Sequence, residues 1–326
     1  MRVGIVILPE HRWWAAEPRW RAADEYGFDH AWTYDHLGWR TLVDGPWFDS
    51  VPTLTAAAMV TSTIRLGTFV TTPNFRHPVP LARSVLALDD ISDGRFLLGV
   101  GSGSSGPANY DGKVFGGTDI TPRQVAERFD EFVALTDKLL RQPRTTHSGR
   151  WFEAAAARSA PGCVQRPRVP FLVAANGPRA MATAAKHGQG WVTTGKPDAA
   201  DLEQWWRGVT ELAERFDGVL EQHGRDRASV DRYVSVDASP VFSLSSVGAF
   251  EEHAGRAAAA GFTDLVVHWP RPDSPYAGQE TTLEHVAAEL LPGLGGRAAG
   301  LGERGEQERG GPTVTDWSQQ GRSAHG

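Results

Sequence analysis

Short apolar runs alternate with longer stretches whose apolar residues recur every three or four positions. Arg2-Val-Gly-Ile-Val-Ile-Leu8 is a continuous apolar run stopped by Pro9, the pattern of a strand buried on both faces and therefore of a parallel sheet. A helical pattern from Pro18 to Tyr26 follows, and Gly27 to Tyr34 supplies a glycine cap and a second strand that ends at Asp35-His36. The alternation continues with a helix from Val51 to Thr61, a strand from Ile64 to Val70, a helix from Pro78 to Asp89, a strand from Phe96 to Val100 and a long helix from Pro122 to Leu140. Arg141 to Pro170 reads as irregular. Beyond it come a strand from Phe171 to Ala175, a helix from Pro178 to His187, a strand from Trp191 to Thr194, a helix from Leu202 to Gln222 and a strand from Tyr233 to Val236. A helix from Ser245 to the Ala257–Ala260 cluster, capped by Gly261, a strand from Asp264 to His268 and a helix from Thr282 to Leu291 complete the series.

Eight successive strand-helix pairs fit an α/β fold of the (β/α)8 TIM-barrel type better than a doubly wound sheet, which usually stops at five or six strands. Residues 1–294 are then one barrel domain with its active site where the strands end. Residues 295–326, rich in Gly with balanced charges and little apolar periodicity, read as a disordered tail.

Composition narrows the function classes. The chain has 33 Lys and Arg against 39 Asp and Glu, a net charge of -6, so a phosphate backbone finds no global attraction and nucleic acid is excluded as a partner. The single cysteine, Cys163, can form no intramolecular disulfide and has no CxxC partner, so a reducing compartment and no metal site are expected. No stretch has the roughly 18 apolar residues of a membrane span, and Met1 to Leu8 lacks the form of a signal peptide. A cytoplasmic location without membrane association is the expectation.

Candidate chemistry collects at the predicted strand ends. Asp35-His36 pairs a carboxylate with an imidazole able to exchange a proton near neutrality, beside an aromatic loop holding Trp39, Trp47 and Phe48. Gly67 to Pro78 is a strand that breaks into a turn-rich loop bracketed by Pro73 and Pro78. Gly101-Ser-Gly-Ser-Ser-Gly106 satisfies GxGxxG literally, but Pro107 to Gly117 reads as loop where a dinucleotide site needs a helix, so these glycines are expected to let a ring or substrate approach the backbone. Ala174-Ala-Asn-Gly-Pro178 runs from a strand into a helix with proline in its first turn, leaving free N–H groups suited to a phosphate. Thr193-Thr-Gly-Lys196 adds hydroxyls and a cation. Trp13, Trp14, Trp39, Trp47 and Trp269 are either walls of an apolar substrate pocket or ordinary packing.

From Met1 to about Leu294 the chain resembles the luciferase-like flavin and deazaflavin oxidoreductases, most strongly from Arg65-Leu-Gly-Thr through Pro78-Val-Pro-Leu-Ala-Arg to Leu88-Asp-Asp-Ile-Ser-Asp-Gly-Arg-Phe-Leu-Leu-Gly-Val-Gly-Ser-Gly103. Asp35-His36, Thr72-Pro-Asn-Phe-Arg76, Ala174-Ala-Asn-Gly-Pro178 and Thr193-Thr-Gly-Lys196 are similar to the coenzyme F420 branch, in particular its glucose-6-phosphate dehydrogenase type. The resemblance implies a cofactor, F420 or alternatively FMN, at the barrel mouth. It implies a cis Phe69-Val70 peptide behind the ring, Asp35 and Asn109 in contact with the cofactor, and His36 at the reacting centre. Ala174, Ala175, Asn176 and Gly177 would hold the cofactor phosphate, and Thr193, Lys196 and Trp39 would face substrate. A homodimer is implied too.

Two departures bear on the substrate. Ser104 stands where such dehydrogenases carry an acidic residue thought to protonate the cofactor, and the segment Asp237 to Ser245 lacks their lysine-bearing insertion, leaving Lys196 and Arg271 for a phosphate. Sugar-phosphate oxidation is therefore not expected. The reading is an F420-dependent transfer of hydride to or from a small organic substrate; the alternatives are an FMN-dependent monooxygenase served by a partner flavin reductase, and a non-catalytic flavin-binding protein.

Overall fold

The computed structural model describes residues 1–106, 109–117, 120–196 and 198–295 of the 326-residue chain. Its strands are β1 (Arg2–Val6), β2 (His30–Thr33), β3 (Arg65–Thr68), β4 (Phe96–Gly101), β5 (Arg144–Ser148), β6 (Glu153–Arg158), β7 (Phe171–Ala174), β8 (Gly190–Thr193), β9 (Asp231–Ser235) and β10 (Asp264–His268). All but β5 and β6 close into one parallel barrel in the order β1-β10-β9-β8-β7-β4-β3-β2. The helices are α1 (Trp13–Glu25), α2 (Ser50–Val60), α3 (Pro78–Ile91), α4 (Tyr110–Val114), α5 (Pro122–Arg141), α6 (Pro178–His187), α7 (Leu202–Gln222), α8 (Val247–Ala259), α9 (Glu280–His285) and α10 (Leu291–Leu294), the last two joined by a π-turn over Val286–Leu290.

The barrel strands are apolar throughout because each has two buried faces. Along β1, Val3, Ile5 and Ile7 pack outward against the helices, while Val6 and Leu8 join an interior cluster with Trp32, Phe69, Leu97, Leu172, Val192, Tyr233 and Val266. Space inside is tight. A Cβ at Gly67 would come within 2.3 Å of the Trp32 ring, and one at Gly4 within 1.7 Å of the His30 ring. At the closed end, Trp32 Nε1–H donates to His30 Nδ1 at 2.6 Å, so His30 Nε2 donates to Asp264 at 3.0 Å, and Arg2 pairs with the same carboxylate at 2.6 Å.

Three elements differ from the sequence reading. The segment 141–170 carries the antiparallel β5-β6 hairpin; its exposed, Thr- and Ala-rich strands pack only in part on the core and leave no clear alternation. α1 begins at Trp13, five residues earlier than expected, and takes Pro18 inside, because burying Ala16 and Trp20 outweighs the one backbone bond that proline cannot make. A single turn of helix, α4, stands where loop was expected after the glycine run. The expected tail lies outside the described residues from residue 296 onward.

Candidate active site

His36 lies just beyond the C-terminal end of β2, where the ligand sites of (β/α)8 enzymes are built. Its Nδ1 is 2.7 Å from Asp111 Oδ2, and Asp111 Oδ1 accepts the Leu37 backbone N–H at 2.8 Å. Asp111 is buried, whereas the His36 ring is 23% exposed. The carboxylate therefore takes the Nδ1 hydrogen and leaves Nε2 as the nitrogen that can exchange a proton with a guest. Asn109 begins α4, its Oδ1 accepting the Gly112 N–H at 3.0 Å, so Asn109 fixes the turn that carries Asp111.

Asp35 is buried. Its oxygens accept from Ser50 Oγ at 2.6 Å, Thr71 Oγ1 at 2.7 Å and Arg76 Nη2 at 2.6 Å, and Arg76 also reaches Asp49 at 3.0 Å. Burial opposes the Arg76 charge, but the bonds to Asp35 and Asp49 prevail and hold its pKa above the ordinary value. This network ties the loops after β2 and β3 together, a structural task for Asp35.

The Phe69-Val70 peptide is cis, in agreement with the sequence-based expectation. Val70 packs across β4, where a Cβ on Gly101 would come within 2.6 Å of it, so glycine there lets the two strand ends approach. An open cleft of about 810 Å³ lies beside it, lined by Ser102 to Ser105, Pro122, Arg123, Ala174 to Gly177 and Arg179. Gly177 precedes α6 without any side-chain cap and has no neighbour within 4 Å of a Cβ position, so first-turn N–H groups face open space. The Asn176 side chain is spent internally: Nδ2 donates to Gly195 O at 2.9 Å, and Oδ1 accepts from Thr193 Oγ1 at 2.7 Å. This shapes the loops after β7 and β8 and leaves backbone for a ligand. The cleft and the uncapped helix suit a phosphate-bearing group.

Among the residues expected to face substrate, Trp39 is half-buried, its ring 5.0 Å from Tyr34 and stacked 6.1 Å from Tyr276. Trp47 joins the same cluster and donates to His36 O at 2.7 Å. Lys196 is exposed and pairs with Glu211 on α7 at 2.6 Å, and Arg271 is held by Glu10 at 2.7 Å, so the two cations considered for a phosphate are both engaged by carboxylates. Trp14 is exposed on α1, Trp13 packs on the helix-facing core, and Trp269 is buried with its N–H on Glu280. Trp13 and Trp269 are packing residues, whereas Trp14 faces solvent.

The sequence reading passed over Asp111, Tyr34, His268, Asp237 and Tyr276. Asp111 carries no local signal, since it lies 75 residues from His36. Tyr34 and His268 could have been found by alternation: His30, Trp32 and Tyr34 share the inward face of the second strand, as Asp264, Val266 and His268 share that of the last.

The luciferase-like monooxygenase family matches residues 1–299 of this chain. The F420-dependent glucose-6-phosphate dehydrogenase of Beutenbergia cavernae is 31% identical over 84% of this chain and 91% of its own length. The 5,10-methylenetetrahydromethanopterin reductase of Archaeoglobus fulgidus is 28% identical over 71% of this chain, which spans 62% of that relative. Among solved structures, an F420-dependent secondary alcohol dehydrogenase bound to an F420-acetone adduct superposes with a TM-score of 0.73 at 16% identity, covering 90% of this chain and 98% of that one, a likeness of fold alone. The strand-end chemistry and the barrel thus agree with the family match, and the chain belongs to the luciferase-like monooxygenase family.

Proposed function

We propose that this chain is a coenzyme F420-dependent oxidoreductase that transfers a hydride between the deazaflavin and a small organic substrate at the barrel mouth. The observation that carries the reading is the His36–Asp111 pair at 2.7 Å, a partly exposed imidazole held in one tautomer by a buried carboxylate. F420-dependent enzymes among relatives 28–32% identical support the cofactor. When bound, the deazaflavin supplies hydride chemistry; the protein's part is orientation, exclusion of water and proton handling. Phe69 and Val70 back the ring. Backbone of Ala174, Ala175, Asn176 and Gly177 holds the phosphate, and Thr193 braces that loop through Asn176. Asn109 positions Asp111, Asp35 anchors the rim, and Trp39 walls the substrate side; Lys196 contributes only outside the mouth, through Glu211.

A homodimer, which rests on the family resemblance, and a cytoplasmic location, which rests on the lone cysteine and the form of the N-terminal residues, belong to the same proposal. No helix among the described residues is long and apolar enough to cross a membrane. The test is a titration of tryptophan fluorescence with F420 and with FMN. Micromolar quenching by F420 and none by FMN is expected; tight FMN binding without F420 binding overturns the reading.

A further inference from the structure

Resting on that reading and deepening it to a substrate class, we infer that Tyr276, Tyr34, His268 and Asp237 form a proton wire. Its outer end, the Tyr276 hydroxyl, serves an alcohol or the corresponding carbonyl on an apolar skeleton. Tyr34 is flanked by two imidazole–carboxylate pairs. On one side is His36 with Asp111, ring centroids 6.1 Å apart; on the other is His268 with Asp237, at 5.7 Å. The side chains of the second pair are buried, and the Tyr34 hydroxyl reaches His268 Nε2.

The hydrogen-bond directions can be assigned in sequence. Asp237 Oδ2 accepts from the His268 backbone N–H at 2.6 Å and from its Nδ1–H at 3.0 Å, so Nε2 of the neutral ring is an acceptor. Tyr34 O–H then donates to Nε2 at 2.8 Å, and the Tyr34 oxygen receives the Tyr276 O–H at 3.2 Å. The Tyr276 oxygen is left with a lone pair for an incoming hydroxyl. Tyr276 is half-buried, lies 3.8 Å above the His268 ring, and shares the mouth with Trp39 and Phe242, which supply an apolar wall. Asp237 is held in turn by the Ser243 N–H at 2.8 Å.

With an oxidised deazaflavin bound to supply the hydride acceptor, oxidation of an alcohol would break its C–H bond and form C=O. The hydroxyl proton passes to the Tyr276 oxygen, the Tyr276 proton to Tyr34, and the Tyr34 proton to His268 Nε2, where the buried Asp237 carboxylate stabilises the imidazolium. Reduction of a carbonyl runs the same path backwards. Burial holds the Tyr34 hydroxyl well above its ordinary pKa and pushes Tyr276 up to about 12, so both stay neutral at physiological pH and pass protons without storing charge. The groups around Tyr276 include Tyr34, Asp237, Arg40 and Arg271. The wire carries the substrate's hydroxyl proton and leaves His36 Nε2 free to exchange one with the bound cofactor.

The test uses the full-length chain with Tyr34→Phe and Tyr276→Phe, which keep the rings and remove only the hydroxyls. In cofactor-free protein, nitrogen-15 NMR of His268, assigned by difference with His268→Gln, should show the proton on Nδ1, and Tyr34→Phe should move the Nε2 resonance downfield. A neutral ring protonated on Nε2, or an Nε2 resonance indifferent to Tyr34→Phe, overturns the wire whatever the cofactor. With F420 and the probes 2-propanol, cyclohexanol and benzyl alcohol, Tyr276→Phe should lower kcat about 100-fold with KM changed less than about 2-fold. An unchanged kcat, or a wild-type enzyme that binds F420 yet oxidises none of these alcohols, overturns the proposal. Failure of F420 to quench the tryptophan fluorescence refutes the cofactor reading instead and leaves the NMR result to decide the wire.

Discussion

Replacing Asp111 by asparagine changes one oxygen to an amide nitrogen at a buried position and should cost rate far more than affinity. In the native site Oδ1 accepts the Leu37 N–H at 2.8 Å and Oδ2 faces His36 Nδ1 at 2.7 Å. Asparagine can keep the first bond by placing its carbonyl there, which turns its NH2 toward Nδ1. Two donors then meet unless the imidazole moves its proton to Nε2, the nitrogen that must be free to accept one. Loss of general acid–base assistance is worth about 10²–10⁴-fold in kcat, or about 3–5 kcal/mol of barrier. The lost charged hydrogen bond should destabilise the fold by about 1.5–3 kcal/mol. Steady-state turnover, tryptophan quenching by F420 and urea unfolding measure the three quantities separately. A variant with native kcat, or one whose F420 affinity falls as much as its kcat, refutes the argument that Asp111 works by fixing the His36 tautomer.

Asp35→Ala leaves the Arg76 guanidinium with the exposed Asp49 as its carboxylate partner, so urea denaturation should report a loss of about 3 kcal/mol, near the low end for a broken buried pair. Gly67→Ala drives a methyl group into the Trp32 ring and the Leu97 carbonyl, at 2.3 and 2.6 Å, and should lower stability by about 1–3 kcal/mol or more in the same assay. Burial works to raise the Asp264 pKa, but bonds and charge from His30 and Arg2 prevail and leave it below the ordinary carboxylate value. Its contribution to stability is therefore present above the unfolded carboxylate pKa of about 3.9 and lost as pH falls through the depressed folded value. Acid melts of wild type should lose stability in that window, and Asp264→Asn should flatten the slope there.

The barrel was legible because its strands are buried on both faces: the apolar runs at Arg2–Leu8 and Asp264–His268 are unbroken, and each is followed by turn residues. The hairpin at 144–158 was not, since its side chains are largely exposed and its alternation is correspondingly weak. α1 shows the opposite conflict, a proline that local propensity reads as a start and tertiary packing absorbs. At the site, His36 announced itself by position at a strand end, and the glycine and asparagine of residues 174–178 by the helix that follows. Asp111 and the Tyr34–His268 contact join residues 75 and 234 positions apart, and only closure of the barrel brings them together. The partners of Asp35 and Lys196 carried no motif: Arg76 and Glu211 lie 41 and 15 positions away and engage their charges only in the folded chain.

The most direct measurement is a crystal structure of the protein with bound F420. The account predicts the deazaflavin ring against Val70, its phosphate at the first turn of α6 near Gly177, and His36 Nε2 facing the open side of the ring. A ring seated elsewhere, or His36 turned from it with the Asp111 contact broken, would contradict the account.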